Sequence, residues 1–315
     1  MVHFFVLLIV HYLFSSTFGT PIWDGEDVGK VQVMGRQSVV SGQTNFPFTV
    51  IVDIESTDGG NHCGGVIISR RAVLTAAHCI VDKVFTKITI VLDVNFEKNG
   101  GQKIKTREHL VHPEYKAECR VDKTRCCYDI NDIAILWLEE LLDFDDFIKP
   151  ATLNKNIQKS VNQKGWILGW GLDNTNKLSS MLQRGEVQVI SREECDRFNP
   201  TVHVTSQVLC LKPGSKGAKS AEADSGGPFE INGVVHGISS HSLFKNPESC
   251  WSDEVNVYTD VAHYNNWIYD NLRAGPPSER PKVQQKITTK RPPSPHGRVP
   301  NQRPSSPQGQ RNIRH

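Results

Sequence analysis

Short segments rich in valine, isoleucine, leucine and threonine recur through most of this 315-residue chain, with turn residues between them. Segments of this length and spacing are typical of an all-β barrel or sandwich. One clear helical pattern stands near the end, where apolar residues recur at three- and four-residue intervals, namely Val261, Tyr264, Trp267, Ile268 and Leu272. The sequence therefore predicts a β domain closed by a C-terminal helix. The apolar segments are PFTVIVDI, GGVIIS, AVLTAA, FTKITIVLDV, IAILWL, GWILGWG, EVQVI and VNVYT.

The two ends of the chain differ from this middle part. Residues 1–20 are mostly apolar, interrupted by His3 and His11, and end in small residues, as in a secretory signal peptide. Their continuously apolar part is shorter than the ~20 residues that a membrane span requires. Residues 21–32 are then a short propeptide-like segment. Residues 274–315 hold nine prolines and nine Lys or Arg against one acid, Glu279, so we expect a disordered basic tail. The sequence predicts a secreted, extracellular protein with its folded domain at 33–273 and no membrane span.

The near-neutral net charge of +2 hides a division between body and tail. Without the +8 of the tail, residues 1–273 carry about −6, which gives no reason to expect nucleic acid as a partner of the folded part. The basic tail has two interpretations: a solubilising linker, or a segment that contacts acidic glycans or a membrane surface.

Three motifs carry the residue types that serine-based peptide hydrolysis requires. LTAAHC ends in His78 and Cys79, NDIAIL contains Asp132, and ADSGGP contains Ser225. Their order and surroundings resemble the trypsin/chymotrypsin-like serine protease family, from about Val33 to Leu272. The resemblance implies an all-β fold of two packed six-stranded antiparallel β-barrels with a short C-terminal helix. It implies protein or peptide substrates, serine protease inhibitors as further partners, no cofactor and no metal.

The same resemblance assigns roles to individual residues. His78 would be the general base and then the general acid, Asp132 would hold its tautomer, and Ser225 would attack the carbonyl carbon. The backbone N–H groups of Ala223 and Ser225 would form the oxyanion hole. Asp224 matches the residue that receives the new N-terminal ammonium group after zymogen cleavage.

The chain departs from the family pattern where substrate is recognised. Lys219 stands at the pocket floor, where trypsin-like members have Asp, so cleavage after Lys or Arg is not expected. In the substrate-binding segment, Ser240 is followed by His241 and Ser242 in place of Trp and Gly. Asn256 stands just before VYT, where the family usually has Gly and Val. Side chains at Ser242 and Asn256 would narrow the pocket.

Ala223 and the activation junction are two further departures. The family has Gly at the position of Ala223, and a Cβ there costs around 1 kcal/mol or more if the backbone needs a positive φ. Loss of one oxyanion donor lowers turnover by about 10² to 10³. The usual basic residue before IVGG is missing, because VMGR at 33–36 follows Gln32. Cleavage after Lys30 would leave two extra residues, so either a different protease processes the chain or no ordinary activation occurs.

Eight cysteines in an exported chain favour disulfides. No C-x-x-C occurs, which argues against a zinc module. By the family resemblance, Cys63 pairs with Cys79 and Cys195 with Cys210. Gly165 and Ile231 stand where another family pair would be, and Ala221 stands where a cysteine upstream of the nucleophile is usual. Four cysteines are left over, namely Cys119, Cys126, Cys127 and Cys250.

The four remaining cysteines leave two alternatives open. Adjacent cysteines rarely bridge each other, so we expect Cys126 and Cys127 to find separate partners. Cys119 is near enough to close a small loop with one of them, and Cys250 is then the partner of the other, at the rim of the substrate cleft. The alternative is that Cys250 is free or forms an intermolecular bridge.

Two functions fit the whole sequence. The first is a secreted serine endopeptidase of non-tryptic specificity, favoured by the complete set of His78, Asp132 and Ser225. The second is a non-catalytic serine protease homologue that acts as a binding or cofactor protein, favoured by Ala223, the narrowed pocket and the missing activation junction. Reaction with a serine-directed probe distinguishes the two.

Overall fold

The computed structural model describes ten ranges, namely 37–38, 45–57, 59–81, 84–92, 101–118, 128–157, 161–171, 177–198, 205–246 and 249–281. The predicted signal peptide and propeptide, nearly all of the tail, and Cys119, Cys126 and Cys127 lie outside these residues, as does the side chain of Cys250. In chain order the strands are β1 (Gln37–Ser38), β2 (Thr49–Ser56), β3 (Asn61–Ser69), β4 (Ala72–Thr75), β5 (Phe85–Leu92), β6 (Gln102–Val111), β7 (Lys116–Glu118), β8 (Tyr128–Ile130), β9 (Ala134–Leu138), β10 (Thr152–Leu153), β11 (Lys164–Gly169), β12 (Gln183–Ile190), β13 (Val208–Pro213), β14 (Pro228–Ile231), β15 (Val234–Asn246) and β16 (Ser249–Asp260).

The first barrel is a closed antiparallel ring of six strands in the order β2-β3-β4-β9-β6-β5. Its β-branched and leucine side chains fill the interior, and the whole of β4 and β9 is buried. β6 differs, because its charged residues alternate with partly buried ones and face solvent. The hairpin of β7 and β8 forms a separate two-stranded sheet.

The second barrel closes in the same way, through pairing of β12 with β13 around the order β12-β11-β14-β15-β16-β13. Two short strands join its outside: β1 pairs with β12, and β10 pairs with β15 in parallel. The prediction of two six-stranded antiparallel barrels is thus confirmed, with β10 as a parallel addition.

Two α-helices and two turns of 3-10 helix complete the described residues. Helix α1 (Arg192–Asp196) is preceded by its N-cap residue Ser191, whose hydroxyl accepts from the Glu194 backbone amide. Helix α2 (Asn265–Ala274) is the predicted C-terminal helix. The first 3-10 turn spans Ala77–Cys79 and the second Pro277–Glu279.

The folded unit extends to Arg280, beyond the predicted end at residue 273. The Ser278 amide donates to a carboxylate oxygen of Glu108 on β6 at 2.9 Å, and the Arg107 guanidinium contacts Glu279 at 2.7 Å. These polar contacts, which proline content alone does not reveal, hold the start of the tail on the first barrel. No described helix is long and apolar enough to cross a membrane.

Candidate active site

His78 lies in the 3-10 turn that follows β4, between two buried neighbours. Ala77 and Cys79 are completely buried, and Cys79 is bridged to Cys63 on β3. Since both neighbours are anchored in the barrel, the His78 side chain is held at the surface, where 27% of it is exposed. The bridge that the family resemblance predicts for this turn is present.

Asp132 is turned towards His78 by an unusual backbone conformation at Asn131. Asn131 has φ 53°, a left-handed conformation that Asn tolerates better than most residues. The side-chain NH2 group of Asn131 donates to the Glu114 carbonyl at 2.7 Å, and its side-chain oxygen accepts from the Tyr264 hydroxyl at 2.8 Å. These contacts fix the chain between β8 and Asp132.

The Asp132 carboxylate makes three hydrogen bonds while only 1% of the residue is exposed. One oxygen lies 2.7 Å from Nδ1 of His78 and accepts from the Ser240 hydroxyl at 2.6 Å. The other oxygen accepts from the His78 amide at 2.9 Å. Burial disfavours the charged form, but the charge and hydrogen bonds of His78, together with Ser240, outweigh it and hold the pKa of Asp132 below its ordinary value. Asp132 is therefore ionised and fixes the imidazole ring of His78.

Two consecutive β-turns, 221–224 and 224–227, lie ahead of β14, and Ser225 is the second residue of the latter. The Asp224 amide donates to the Ala221 carbonyl at 3.1 Å, and the Gly227 amide donates to the Asp224 carbonyl at 2.8 Å. The third residue of each turn has a positive φ, 71° at Ala223 and 81° at Gly226. Since the second residue of each turn has a negative φ, both are type II turns. The condition under which the Cβ of Ala223 is costly, a positive φ, is therefore met.

The backbone of Ser225 is bound to the first barrel, close to His78. The Gly64 amide on β3 donates to the Ser225 carbonyl at 2.7 Å. Sγ of Cys79 lies 3.8 Å from the same carbonyl oxygen and 3.9 Å from Nε2 of His78. The backbone of Ser225 therefore lies beside the turn that carries His78, at the junction of the barrels, and His78 is bonded to Asp132.

His241 extends the hydrogen bonding behind Asp132. Its Nδ1 lies 3.0 Å from the Ser240 hydroxyl, which already donates to Asp132, so we assign the proton of this contact to Nδ1 of His241. Burial lowers the pKa of His241 to about 4, and the ring is neutral at physiological pH. Four groups then form a continuous chain, from His241 through Ser240 and Asp132 to His78. Ser240 and His241 were predicted only as parts of the substrate-binding segment.

Asp224 is buried and its carboxylate binds backbone amides. One oxygen accepts from Gly171 at 3.0 Å and the other from Ala221 at 2.6 Å. A Cβ at Gly169 would lie 2.1 Å from this carboxylate, so the glycine makes room for it. The N-terminal group that the resemblance pairs with Asp224 belongs to residues outside the described part of the chain.

The residues of the predicted substrate pocket are brought together by Asn256, which is completely buried on β16. Its side-chain oxygen accepts from the Ser220 backbone amide at 2.8 Å, and its side-chain NH2 group donates to the Leu211 carbonyl at 3.4 Å. Ser242 is the residue paired with Asn256 across the sheet. Asn256 thus links the segment that carries Lys219 to β13. This is the part of the substrate pocket that the sequence predicted to be narrowed by Ser242 and Asn256.

Asp129 on β8 is a neighbour of His78 that sequence reasoning missed. Among the described residues, His78, Asp129 and Asp132 are the group of side chains close enough to share a cation, with candidate ligand atoms within 4.8 Å of one another. His78 and Asp132 are already bonded to each other, so the group is not a dedicated metal site. Asp129 follows three cysteines and precedes NDIAIL, and nothing in its residue type marked it as part of the site.

The second predicted disulfide, between Cys195 in α1 and Cys210 on β13, is also present. Where the chain lacks a further family bridge, Gly165 and Ile231 pack closely instead. A Cβ at Gly165 would lie 2.9 Å from the Ile231 side chain and 2.3 Å from the Glu230 carbonyl oxygen. Close apolar packing therefore takes the place of that covalent link.

Comparisons with known proteins agree with this architecture. Melanization protease 1 of Drosophila melanogaster is 29% identical over 284 residues, covering 79% of this chain and 68% of the relative. Kallikrein-8 of Rattus norvegicus is 32% identical, covering 65% of this chain and 75% of the relative. The structure of neuropsin, a serine protease of mouse brain, superimposes with a TM-score of 0.59 at 28% identity, covering 73% and 96% of the two chains. The family model described as Trypsin matches residues 35–268. The chain therefore belongs to the trypsin family of chymotrypsin-like serine proteases.

Proposed function

We propose that this protein is an active, secreted serine endopeptidase with non-tryptic specificity. The observation that carries the proposal is the contact of His78 with ionised, buried Asp132, beside a Ser225 whose backbone is bound to the same region. Membership of the family implies proteins or peptides as substrates. The apolar N-terminal run supports export to the extracellular space, and serine protease inhibitors are the second class of partner.

Each group has a defined task in the proposed reaction. His78 takes the proton of the Ser225 hydroxyl as the serine oxygen bonds to the substrate carbonyl carbon. The imidazolium form is stabilised by Asp132 through Nδ1. His78 then gives the proton to the leaving amine, and the acyl-enzyme remains on Ser225. A water molecule deprotonated by His78 releases the acid and restores the serine.

The oxyanion of the tetrahedral intermediate would accept from the amides of Ala223 and Ser225. The positive φ at Ala223 supports this role, because the family resemblance places glycine here and glycine adopts positive φ without strain. Alanine reaches it at a cost of about 1 to 2 kcal/mol. The site is thus arranged for catalysis but is strained at one donor.

Specificity is proposed to exclude basic side chains. Lys219 is half-buried next to Ser220, whose amide and hydroxyl bond Asn256 and Tyr258. A second cation placed there meets like-charge repulsion in a region of low dielectric constant. Acidic or small polar side chains are the better candidates.

A fluorophosphonate probe tests the proposal of activity. We expect purified, N-terminally processed protein to be labelled, and labelling to disappear in Ser225→Ala. Ser215→Ala is the matched control, because Ser215 is an exposed serine in a nearby turn. Equal labelling of wild type and Ser225→Ala, or none of either, would overturn the proposal.

Peptide substrates that differ only at the residue before the cleaved bond test the specificity. We expect poor cleavage after arginine in the wild type, and a gain in kcat/KM for arginine of at least about tenfold in Lys219→Asp. Lys216→Asp, at an exposed turn position, should give no gain. Efficient cleavage after arginine by the wild type, or no gain in Lys219→Asp, would show that the pocket floor lies elsewhere.

A non-catalytic serine protease homologue is the second candidate, and two observations favour it. Ala223 occupies a strained oxyanion position, and the buried Asn256 links opposite sides of the predicted pocket. Such a protein would bind peptides or inhibitors without hydrolysis. It would keep its affinity for a peptide-based inhibitor in Ser225→Ala while failing to react with the probe in the wild type.

A further inference from the structure

A second carboxylate lies beside His78, in addition to that of Asp132. A carboxylate oxygen of Asp129 is within 4.8 Å of a His78 ring nitrogen and of an Asp132 carboxylate oxygen. Asp132 already accepts the Nδ1 contact, so Asp129 is not needed to orient the ring by hydrogen bonding. Its effect on His78 must therefore be carried through space, by charge.

The β7–β8 hairpin holds Asp129 in this place. Asp129 is paired with Ala117 across the hairpin, and the Tyr115 hydroxyl, just before β7, donates to one of its carboxylate oxygens at 2.9 Å. The Asn131 contacts described above fix the chain on the other side. Because Asp129 is half-buried and held at both ends, its charge stays near His78 instead of moving into solvent.

Asp129 is mostly ionised at neutral pH, but its pKa lies not far below that pH. Burial, and next the charge of Asp132, raise the pKa of Asp129 to about 6, while His78 and the Tyr115 hydroxyl oppose the rise. Other charged or titratable groups around the pair are few in the described residues. His241 approaches His78 from β15 and is neutral, and Tyr264 faces Asp132 with burial keeping its pKa above the physiological range.

We propose that Asp129 is a positioning residue that stabilises the imidazolium form of His78 together with Asp132, and thereby sets the acid limit of activity. The proposal rests on the proposed function in so far as it concerns turnover. Its physical content, the proton affinity of His78, is independent of whether the protein hydrolyses peptides.

The sign of the effect follows from which form of His78 is needed. An ionised Asp129 favours the imidazolium that forms during attack by Ser225, so it increases kcat above the acid limb of the pH profile. It also makes the resting imidazole protonate at a higher pH, so the acid limb of the pH profile lies at a higher pH. As the pH falls through about 6, Asp129 itself takes up a proton and both effects fade.

The direct test is the titration of the His78 ring by NMR in the full-length protein, with Asp129→Asn against the wild type. We expect the midpoint of the His78 titration to fall by about half to one pH unit in the variant. Glu114→Gln is the matched control, because Glu114 is an exposed carboxylate ahead of the same hairpin. An unchanged midpoint in Asp129→Asn, or an equal shift in Glu114→Gln, would overturn the inference even if the protein has no activity.

Peptide hydrolysis supplies the second measurement. In Asp129→Asn we expect the acid limb of kcat/KM to move to lower pH by a similar amount, while kcat on the plateau falls about 3- to 10-fold and KM changes little. A purely structural effect would lower kcat without moving the limb. A wild type that fails to hydrolyse any peptide would refute the proposed function and leave the NMR result to decide the role of Asp129.

Discussion

Ala223 and Gly226 occupy the same place in two successive type II turns, yet only one of them is glycine. At Gly226 a Cβ would lie 2.2 Å from Oγ1 of Thr75 and 2.4 Å from the Gly64 carbonyl oxygen, so glycine is required by space as well as by φ. Ala223 is half-buried and its methyl group is accommodated. The strain at Ala223 is therefore conformational, and a single substitution can remove it.

We expect Ala223→Gly to raise kcat/KM about 3- to 10-fold. Glycine populates positive φ without the penalty that alanine incurs, so the amide is directed at the oxyanion in a larger fraction of molecules. Peptide hydrolysis measures the effect. The control is Ala221→Gly, at the first position of the same turn, where φ is not positive and no gain is expected. A rate for Ala223→Gly within a factor of two of the wild type would mean that alanine is fully tolerated.

His241 links stability to pH at the same site. Its pKa in the folded protein is about 4, below the ordinary value near 6.5. The unfolded chain therefore binds the proton first as the pH falls, and stability is lost between about pH 6.5 and pH 4. We expect the free energy of unfolding to fall less over this range in His241→Phe than in the wild type, as measured by denaturant titration.

A matched control for this pH dependence is His263→Phe. His263 is exposed, so its replacement should change the slope of stability against pH less than His241→Phe does. The same slope in His241→Phe and the wild type would show that the His241 ring is not held neutral by burial.

At the scale of elements, a strand could be predicted from the sequence where its apolar residues are continuous. β4 and β9 are entirely buried, and their segments AVLT and AILWL were recognisable. β6 reads QKIKTREHLV because most of its side chains face solvent, and apolar content does not reveal it. Each strand of the β7–β8 hairpin has three residues, which is too short for a recognisable sequence pattern. Asp129 could therefore not be placed near His78 from the sequence.

The two bridges present in the structure close loops of similar length, with sequence separations of 16 and 15. We expect removal of either bridge, by paired Cys→Ala changes, to cost about 3 kcal/mol of unfolding free energy. Activity should respond differently, because Sγ of Cys79 lies 3.9 Å from Nε2 of His78. Cys63→Ala/Cys79→Ala should lose activity in the folded fraction, whereas Cys195→Ala/Cys210→Ala should retain most of it.

Calorimetry and probe labelling below the unfolding transition separate these two effects. Equal activity per folded molecule in both double variants would contradict the expected difference, since it would mean that the 3-10 turn keeps His78 in place without its bridge.

For the whole molecule, the site exists only where the barrels meet. The first barrel supplies His78 and Asp132, and the second supplies Ser225 and Ser240. The hydroxyl of Thr259 on β16 adds another link, donating to the Asp132 carbonyl at 2.8 Å. The sequence predicted each local motif because its residues are adjacent in the chain. The links between barrels join positions more than a hundred residues apart, and no local pattern records them.

Gly64 forms one of these links, through its contact with the Ser225 carbonyl, and allows the dependence of the site on the barrel junction to be measured. A Cβ at Gly64 would lie 2.7 Å from Cα and 2.8 Å from the amide nitrogen of Gly227, and neither backbone atom can move aside as a flexible side chain would. Gly64 does not have a positive φ, so alanine there would act through this clash alone. Relief of the clash requires the turn that carries Ser225 to shift away from β3.

We therefore expect Gly64→Ala to lower the free energy of unfolding by about 1 to 3 kcal/mol, as overpacking does, and to reduce fluorophosphonate labelling of the folded protein at least about tenfold. Gly60→Ala is the control, because its Cβ would meet only the Ile54 carbonyl oxygen at an ordinary 3.7 Å. Circular dichroism at low temperature establishes that both variants keep their strands. If Gly64→Ala were labelled as rapidly as Gly60→Ala, the position of Ser225 would not depend on this junction, and the contact between the Gly64 amide and the Ser225 carbonyl would be incidental to the site.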